Sequence, residues 1–124
     1  MRILIGDDHE LIRKGIIQIL RSRADIELAE AVNGRDAVEK ARELKPDLIL
    51  LDVSMPVLGG FGAAKEIKRY SPNVPILFVS VHDTNGIVDE ARSAGEGIVL
   101  KGQAGITLLN AVDALLRNET FFPS

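Results

Sequence analysis

The chain has no cysteine among its 124 residues, which excludes disulfides, thiolate nucleophiles and zinc centres built on sulfur. It has no excess of positive charge either. Fifteen lysine and arginine residues against 18 aspartate and glutamate give a formal charge of −3, so no overall basic field draws the chain to nucleic acid or to an anionic membrane. Any DNA binding by a parent protein is expected to lie in another part of it. No apolar run is long enough to span a bilayer, and the apolar start at 2–5 is broken by Gly6-Asp7-Asp8 before it could serve as a secretion signal. The default expectation is a cytoplasmic protein that makes no membrane contact. Internal repeats and low-complexity tracts are missing, as are the GxGxxG and Walker A patterns that cradle nucleotide phosphates.

What is present is enough apolar material, 46% of residues, for the core of one domain. Short runs rich in Ile, Leu and Val alternate with longer stretches of helical period. The runs predict strands at 2–5, 26–32, 47–51, 75–80 and 97–100. Between them, Leu11, Gly15, Ile16, Ile19 and Leu20 mark one face of a first helix, and Ala37, Val38, Ala41 and Leu44 mark a second, with Asn33 and Asp36 placed as a capping box. Phe61, Ala64 and Ile67 define a third helix ending before Ser71-Pro72. Ile87, Val88, Ala91 and Ala94 define a fourth, stopped by Gly95, and Leu108, Val112, Leu115 and Leu116 a fifth over about 104–117. Strands alternating with helices in this way imply an α/β fold: an open, parallel, five-stranded sheet of flavodoxin-like order 2-1-3-4-5, with the five helices on both faces.

In such sheets ligands gather beyond the carboxyl ends of the strands. There the sequence places Asp7 and Asp8 after the first strand, Asp52 after the third, Ser80 at the fourth and Lys101 after the fifth. Taken singly, each has an ordinary explanation: an acidic pair at a helix start, an exposed lysine, a loop serine. Together they bring three carboxylates, a hydroxyl and one ammonium to a single cavity. One lysine cannot balance three acids, whereas Mg²⁺, which takes carboxylate, water and phosphate oxygens, can. The set outlines a phosphoryl-transfer site, and with no serine, threonine or cysteine better placed, Asp52 is the group to be phosphorylated. The stretch LILLDVSMPVLGG carries that acid on a buried strand and turns away from it at once.

These motifs, with Met55-Pro56 and Gly59-Gly60 after Asp52, Ser80 after ILFV and Lys101 after GIVL, make nearly the whole chain resemble the receiver domain of a bacterial two-component response regulator. DDHELIRKG and RNETFFPS resemble the branch that carries a C-terminal LuxR-type helix-turn-helix. The resemblance implies a receiver over 1–118 and the start of a linker at 119–124. It also implies that Asp52 is the phosphoacceptor, Asp8 a direct Mg²⁺ ligand, Asp7 a ligand mostly through water, and the Ser54 main-chain carbonyl the third protein ligand. Ser80 is implied as the switch hydroxyl and Lys101 as the phosphate-binding lysine. The implied partners are a sensor histidine kinase, a second copy through the fourth helix, fifth strand and fifth helix, and DNA only through a domain absent from this chain.

Two positions depart from the family pattern. Ile98 stands where many receivers carry the aromatic ring that reads out the switch, and Gly102 where many carry proline after a cis bond, which leaves the isomer of the Lys101-Gly102 bond open. His9 and His82 are read as exposed loop residues, with His82 and Ser54 expected to line the mouth of the site and to tune the lifetime of the acyl phosphate. Three rivals remain. A stand-alone receiver would act by protein contacts alone. An aspartyl-phosphate phosphatase of the dehalogenase type would need an acid where Ser54 stands. A flavin or nucleotide module would need a glycine-rich loop.

Overall fold

The computed structural model describes residues 1–123. In chain order it contains β1 (Arg2–Gly6), α1 (Glu10–Leu20), β2 (Glu27–Ala31), α2 (Gly34–Leu44), β3 (Leu48–Asp52), α3 (Gly60–Tyr70), β4 (Ile76–Ser80), α4 (Asn85–Ala94), β5 (Gly97–Leu100) and α5 (Ala104–Leu116), with a 3-10 turn at Lys101–Gln103. The strands are all parallel, in the order β2-β1-β3-β4-β5. Strand ends differ from expectation by a residue or so. Pro75 stays outside β4, although its carbonyl still accepts from the Ile49 N–H, and Asp52 is the last residue of β3 rather than the first beyond it.

The alternation of side chains along the strands divides the core in two. Ile3, Ile5, Leu48, Leu50, Leu77, Val79 and Val99 pack with α1 and α5. Leu4, Ile49, Leu51, Ile76, Phe78 and Ile98 pack with α2, α3 and α4. Because β3 and β4 are buried on both faces, they read as unbroken apolar runs.

The face of α1 differs from the one its leucines suggest. Leu11 is 88% exposed, whereas Arg13, Ile16, Ile17 and Leu20 are buried. The spacing 13, 16, 17, 20 is a full helical stripe, and the long arginine stem occupies the place expected of an aliphatic residue. On α2 the Asn33 side chain accepts from the Asp36 N–H at 2.8 Å as expected. The Asp36 carboxylate reaches one residue further back than a capping box requires, to the Val32 N–H at 3.0 Å. Gly95 ends α4 in extended rather than left-handed backbone (φ −162°). It is required by space, since a Cβ there would stand 2.8 Å from the Phe78 ring and 2.9 Å from the Ile76 carbonyl.

After α5 the chain folds back on β5. Phe121 donates its N–H to the Glu96 carbonyl and accepts from the Ile98 N–H at 3.0 Å. Its ring packs on the α1–α5 core and that of Phe122 on the opposite core. Arg92 of α4 lies over the Phe122 ring at 4.7 Å and donates to the Pro123 carbonyl at 2.8 Å.

Two glycines test this packing in opposite directions. A Cβ at Gly34, the first residue of α2, would sit 1.8 Å from the Leu58 carbonyl oxygen, and one at Gly15 would meet nothing within 4 Å. In urea unfolding, Gly34→Ala is expected to lose about 3 kcal/mol, the upper end of overpacking costs. Gly15→Ala, on the exposed side of α1, is expected to gain about 0.5–1 kcal/mol.

Candidate functional site

The site lies at the carboxyl ends of β1, β3, β4 and β5. Gly6 of β1 pairs with Leu51 of β3, so Asp7 stands level with Asp52 on the neighbouring strand. Both acids are buried, at 1% and 3% exposure, and Asp8, one residue on, lies at the surface. The chain then leaves β3 sharply. Gly60 donates its N–H to the Val53 carbonyl, and a Cβ on it would fall 2.2 Å from the Asp52 carbonyl oxygen, so only glycine can start α3 this close to the acid. In the loop between them, Leu58 donates to the Pro56 carbonyl around Val57, which sits at φ +70°. A β-branched residue in that conformation is strained by about 1–3 kcal/mol.

Lys101 reaches over from the end of β5. Its ammonium donates to Asp52 Oδ2 at 3.0 Å and lies 3.6 Å from Asp7 Oδ2. The other Asp52 oxygen, Oδ1, accepts from the Ser54 N–H at 3.2 Å. Asp7 Oδ1 accepts from the His9 N–H at 2.8 Å, while Asp7 Oδ2 is buried without a hydrogen bond. No cis peptide occurs among the described residues, so the Lys101-Gly102 bond is trans.

The structure therefore brings together Asp7, Asp8, Asp52 and Lys101, with Ser54 held against Asp52 through its N–H. Ser80 is buried at the end of β4, one residue beyond the level of Asp52, and its hydroxyl accepts from the His82 N–H at 3.1 Å. His82 is exposed as expected. His9 is not a bystander, although its side chain is 58% exposed: Nδ1 lies 3.2 Å from Asp8 Oδ1, 3.4 Å from Asp7 Oδ1 and 3.8 Å from Asp52 Oδ2. Its place next to the acidic pair was the only available signal.

One ligand atom from each of Asp7, Asp8, His9 and Asp52 can be chosen so that all lie within 4.8 Å of one another. Carboxylate oxygens at that spacing suit a hard divalent cation. Burial pushes the Asp52 carboxyl above its ordinary range and the Asp7 charge pushes it further, against the bond and charge of Lys101 and the Ser54 N–H. Burial, with the Asp7 charge added, thus outweighs what the ammonium and the Ser54 N–H restore.

Residues 3–113 match the response regulator receiver domain family. Among curated relatives, the response regulator protein VraR of Staphylococcus saprophyticus is 34% identical over 124 residues, covering 98% of this chain and 59% of the relative. The transcriptional regulatory protein LnrK of Bacillus subtilis is 35% identical over 114 residues, covering 90% of this chain and 52% of the relative. The chain thus spans little more than half the length of these proteins. Among solved structures, a LuxR-family two-component response regulator from an Aurantimonas species superposes with a TM-score of 0.93 at 28% identity, covering 98% of this chain and 88% of that one. The signal receiver domain of NarL from Mycobacterium tuberculosis gives 0.88 at 31%, covering 95% and 97%.

The raised Asp52 carboxyl has a consequence for stability. Below its ordinary value of 3.8, Asp52 is protonated in both folded and unfolded chains and has no effect. As pH rises from there through the folded value, the unfolded chain gives up its proton first, and the folded state loses stability relative to it. In the presence of a chelator, Asp52→Asn is therefore expected to melt several degrees higher than the wild type at neutral pH, with the gap closing as pH falls toward that ordinary value. Melting curves across pH check this, and a gap independent of pH would contradict it.

Proposed function

The chain belongs to the response regulator receiver domain family, and on that premise we propose that it is a phosphorylation-controlled switch whose phosphoacceptor is Asp52. The observation that carries this reading is the buried Asp52 carboxylate bonded to Lys101 within a cluster of two further acids. The donor is the phosphohistidine of a sensor histidine kinase, or a small acyl phosphate.

A divalent cation fits the residues present: the buried Asp7 Oδ2 lacks a hydrogen bond, and three of the four possible ligand residues, Asp7, Asp8 and Asp52, are carboxylates beside the His9 imidazole. Asp7, Asp8, Asp52 and the Ser54 main-chain carbonyl would hold Mg²⁺, which when bound supplies charge neutralisation to the phosphoryl oxygens. An Asp52 carboxylate oxygen attacks phosphorus, the bond from phosphorus to the donor's imidazole nitrogen breaks, and an acyl phosphate forms on the aspartate. Lys101, already on Asp52 Oδ2, transfers its hydrogen bond to a phosphoryl oxygen. Ser80 gives up the His82 N–H and donates its hydroxyl to another, which pulls on the exposed segment 81–84 before α4.

The chain acts as a phosphoacceptor that assists its own phosphorylation and dephosphorylation, rather than as a turnover enzyme. That relatives include a transcriptional regulatory protein supports control of transcription as the output, with DNA bound by a domain outside this chain, and the proposed location is the cytoplasm. The face formed by α4, β5 and α5 would serve a homodimer. Among the described residues, no helix is long and apolar enough to cross a membrane.

Intact mass after incubation with acetyl phosphate tests the reading. A single phosphoryl adduct is expected on the wild type, dependent on Mg²⁺ and absent from Asp52→Asn. Lys101→Met is expected to slow its formation about a hundredfold, the scale of losing one preorganised donor. An adduct that survives in Asp52→Asn would move the site elsewhere, and failure to form one from acetyl phosphate or from a phosphorylated kinase would overturn the switch.

A further inference from the structure

Among the described residues, the buried polar and charged groups are Asp7, Arg13, Asp52 and Ser80, and three of these form the site described above. The fourth, Arg13 on α1, is only 8% exposed and points back toward the same strand ends. Its Nε donates to Glu30 Oε1 of β2 at 2.7 Å, and one of its terminal nitrogens donates to the Asp7 carbonyl oxygen at 2.8 Å, a fully buried bond. Glu30 is held below the ordinary carboxylate range, first by that bond and then, against its burial, by the neighbouring Lys14 and Arg13 charges. Glu30 is therefore ionised at neutral pH.

The carbonyl that Arg13 holds is in a special place. A peptide unit is planar, so fixing the Asp7 carbonyl also fixes the Asp8 N–H and the direction in which the Asp8 side chain departs. The remaining Asp7 groups are fixed too: its N–H donates to the Ala31 carbonyl at 3.1 Å, and its Oδ1 accepts from His9. With these bonds made, Oδ2 remains free to face Asp52 and Lys101. Groups that orient the ligands of a cation govern its affinity without touching it. A guanidinium can hold the carbonyl and the carboxylate at once because it is a planar fork, whereas an ammonium is a single point of charge.

We propose that Arg13 is a positioning residue for the acidic cluster: by tying the Asp7 carbonyl to Glu30 of β2, it sets the orientation of Asp7 and Asp8 and so the affinity of the site for a divalent cation. The inference rests on the cation-binding reading of that cluster. It assigns the buried charge of α1 to the site rather than to packing alone.

The test is calorimetric titration with Mg²⁺ of the wild type, Arg13→Met, Arg13→Lys and Glu30→Gln, each far below its melting temperature, together with amide hydrogen exchange in chelator. Arg13→Met is expected to weaken Mg²⁺ about ten- to a hundredfold, the range seen when a partner of a metal ligand is removed. Arg13→Lys is expected to recover only part of that loss. Glu30→Gln, which still accepts from Nε, is expected to stay close to the wild type. Without metal, the His9 amide, held by Asp7 Oδ1, is expected to lose protection in Arg13→Met relative to the amides of β3. If Arg13→Met melts lower yet binds Mg²⁺ like the wild type and keeps the His9 amide protected, the arginine is structural only and the proposal is wrong. A wild type that does not bind Mg²⁺ would instead refute the cation reading of the cluster, and the exchange of the His9 amide would still decide whether Arg13 holds Asp7.

Discussion

A carboxylate removed from water must be paired or neutralised, and the Asp52 side chain, 2% exposed, has one cation within hydrogen-bonding reach. That bond joins residues 49 apart in sequence, from the end of β3 across β4 to the turn after β5. It is also incomplete, because Asp7 is buried alongside and makes its own claim on the same ammonium at 3.6 Å. The surplus of negative charge gives this end of the sheet its character. It leaves an oxygen without a hydrogen bond and adds to the burial that holds the Asp52 carboxyl above its usual range, and this is the feature on which the proposed binding of a cation and a phosphoryl group rests. The surrounding backbone serves the same end. Gly60 brings α3 against the Asp52 carbonyl, and the loop through Val57 accepts strain to turn the chain away.

Much of this was legible because it depends on two simple regularities. Buried parallel strands are continuous apolar runs, so LILLD and ILFVS announced themselves, and residues at the ends of such strands must face the same edge. Asp7, Asp8, Asp52 and Lys101 could therefore be brought together before any coordinates. Ser80 joined them by the same reasoning, and the family resemblance added the roles proposed for Ser54 and Ser80.

What escaped was whatever depends on three-dimensional pairing. Apolar spacing puts Leu11 on the inner face of the first helix, yet the true stripe of α1 includes Arg13, whose burial is made possible by Glu30 and the Asp7 carbonyl. His9 looked like a loop residue, since nothing in its spacing reveals that Nδ1 lies among three carboxylates. Gly95 was read as a helix stop for conformational reasons, whereas the Phe78 ring and the Ile76 carbonyl exclude any side chain there. The positive φ of Val57 carries no sequence signal at all, because the residue type argues against it.

The return of the chain along β5 was equally invisible, since two phenylalanines after a helix do not say which way they fold. Its consequence concerns the borders of the sheet. At β5 the backbone groups of Ile98 and Glu96 that would face a neighbouring strand are taken by Phe121. At the opposite border β2 is five residues long and carries Glu27 and Glu30, and the Lys40 ammonium caps the Glu30 carbonyl. Short strands, charged side chains and covered carbonyls are the features that stop one sheet from extending into another. The fold thus discourages edge-to-edge association at both borders, so that any contact made on the α4–β5–α5 face is one of side chains rather than of an added strand.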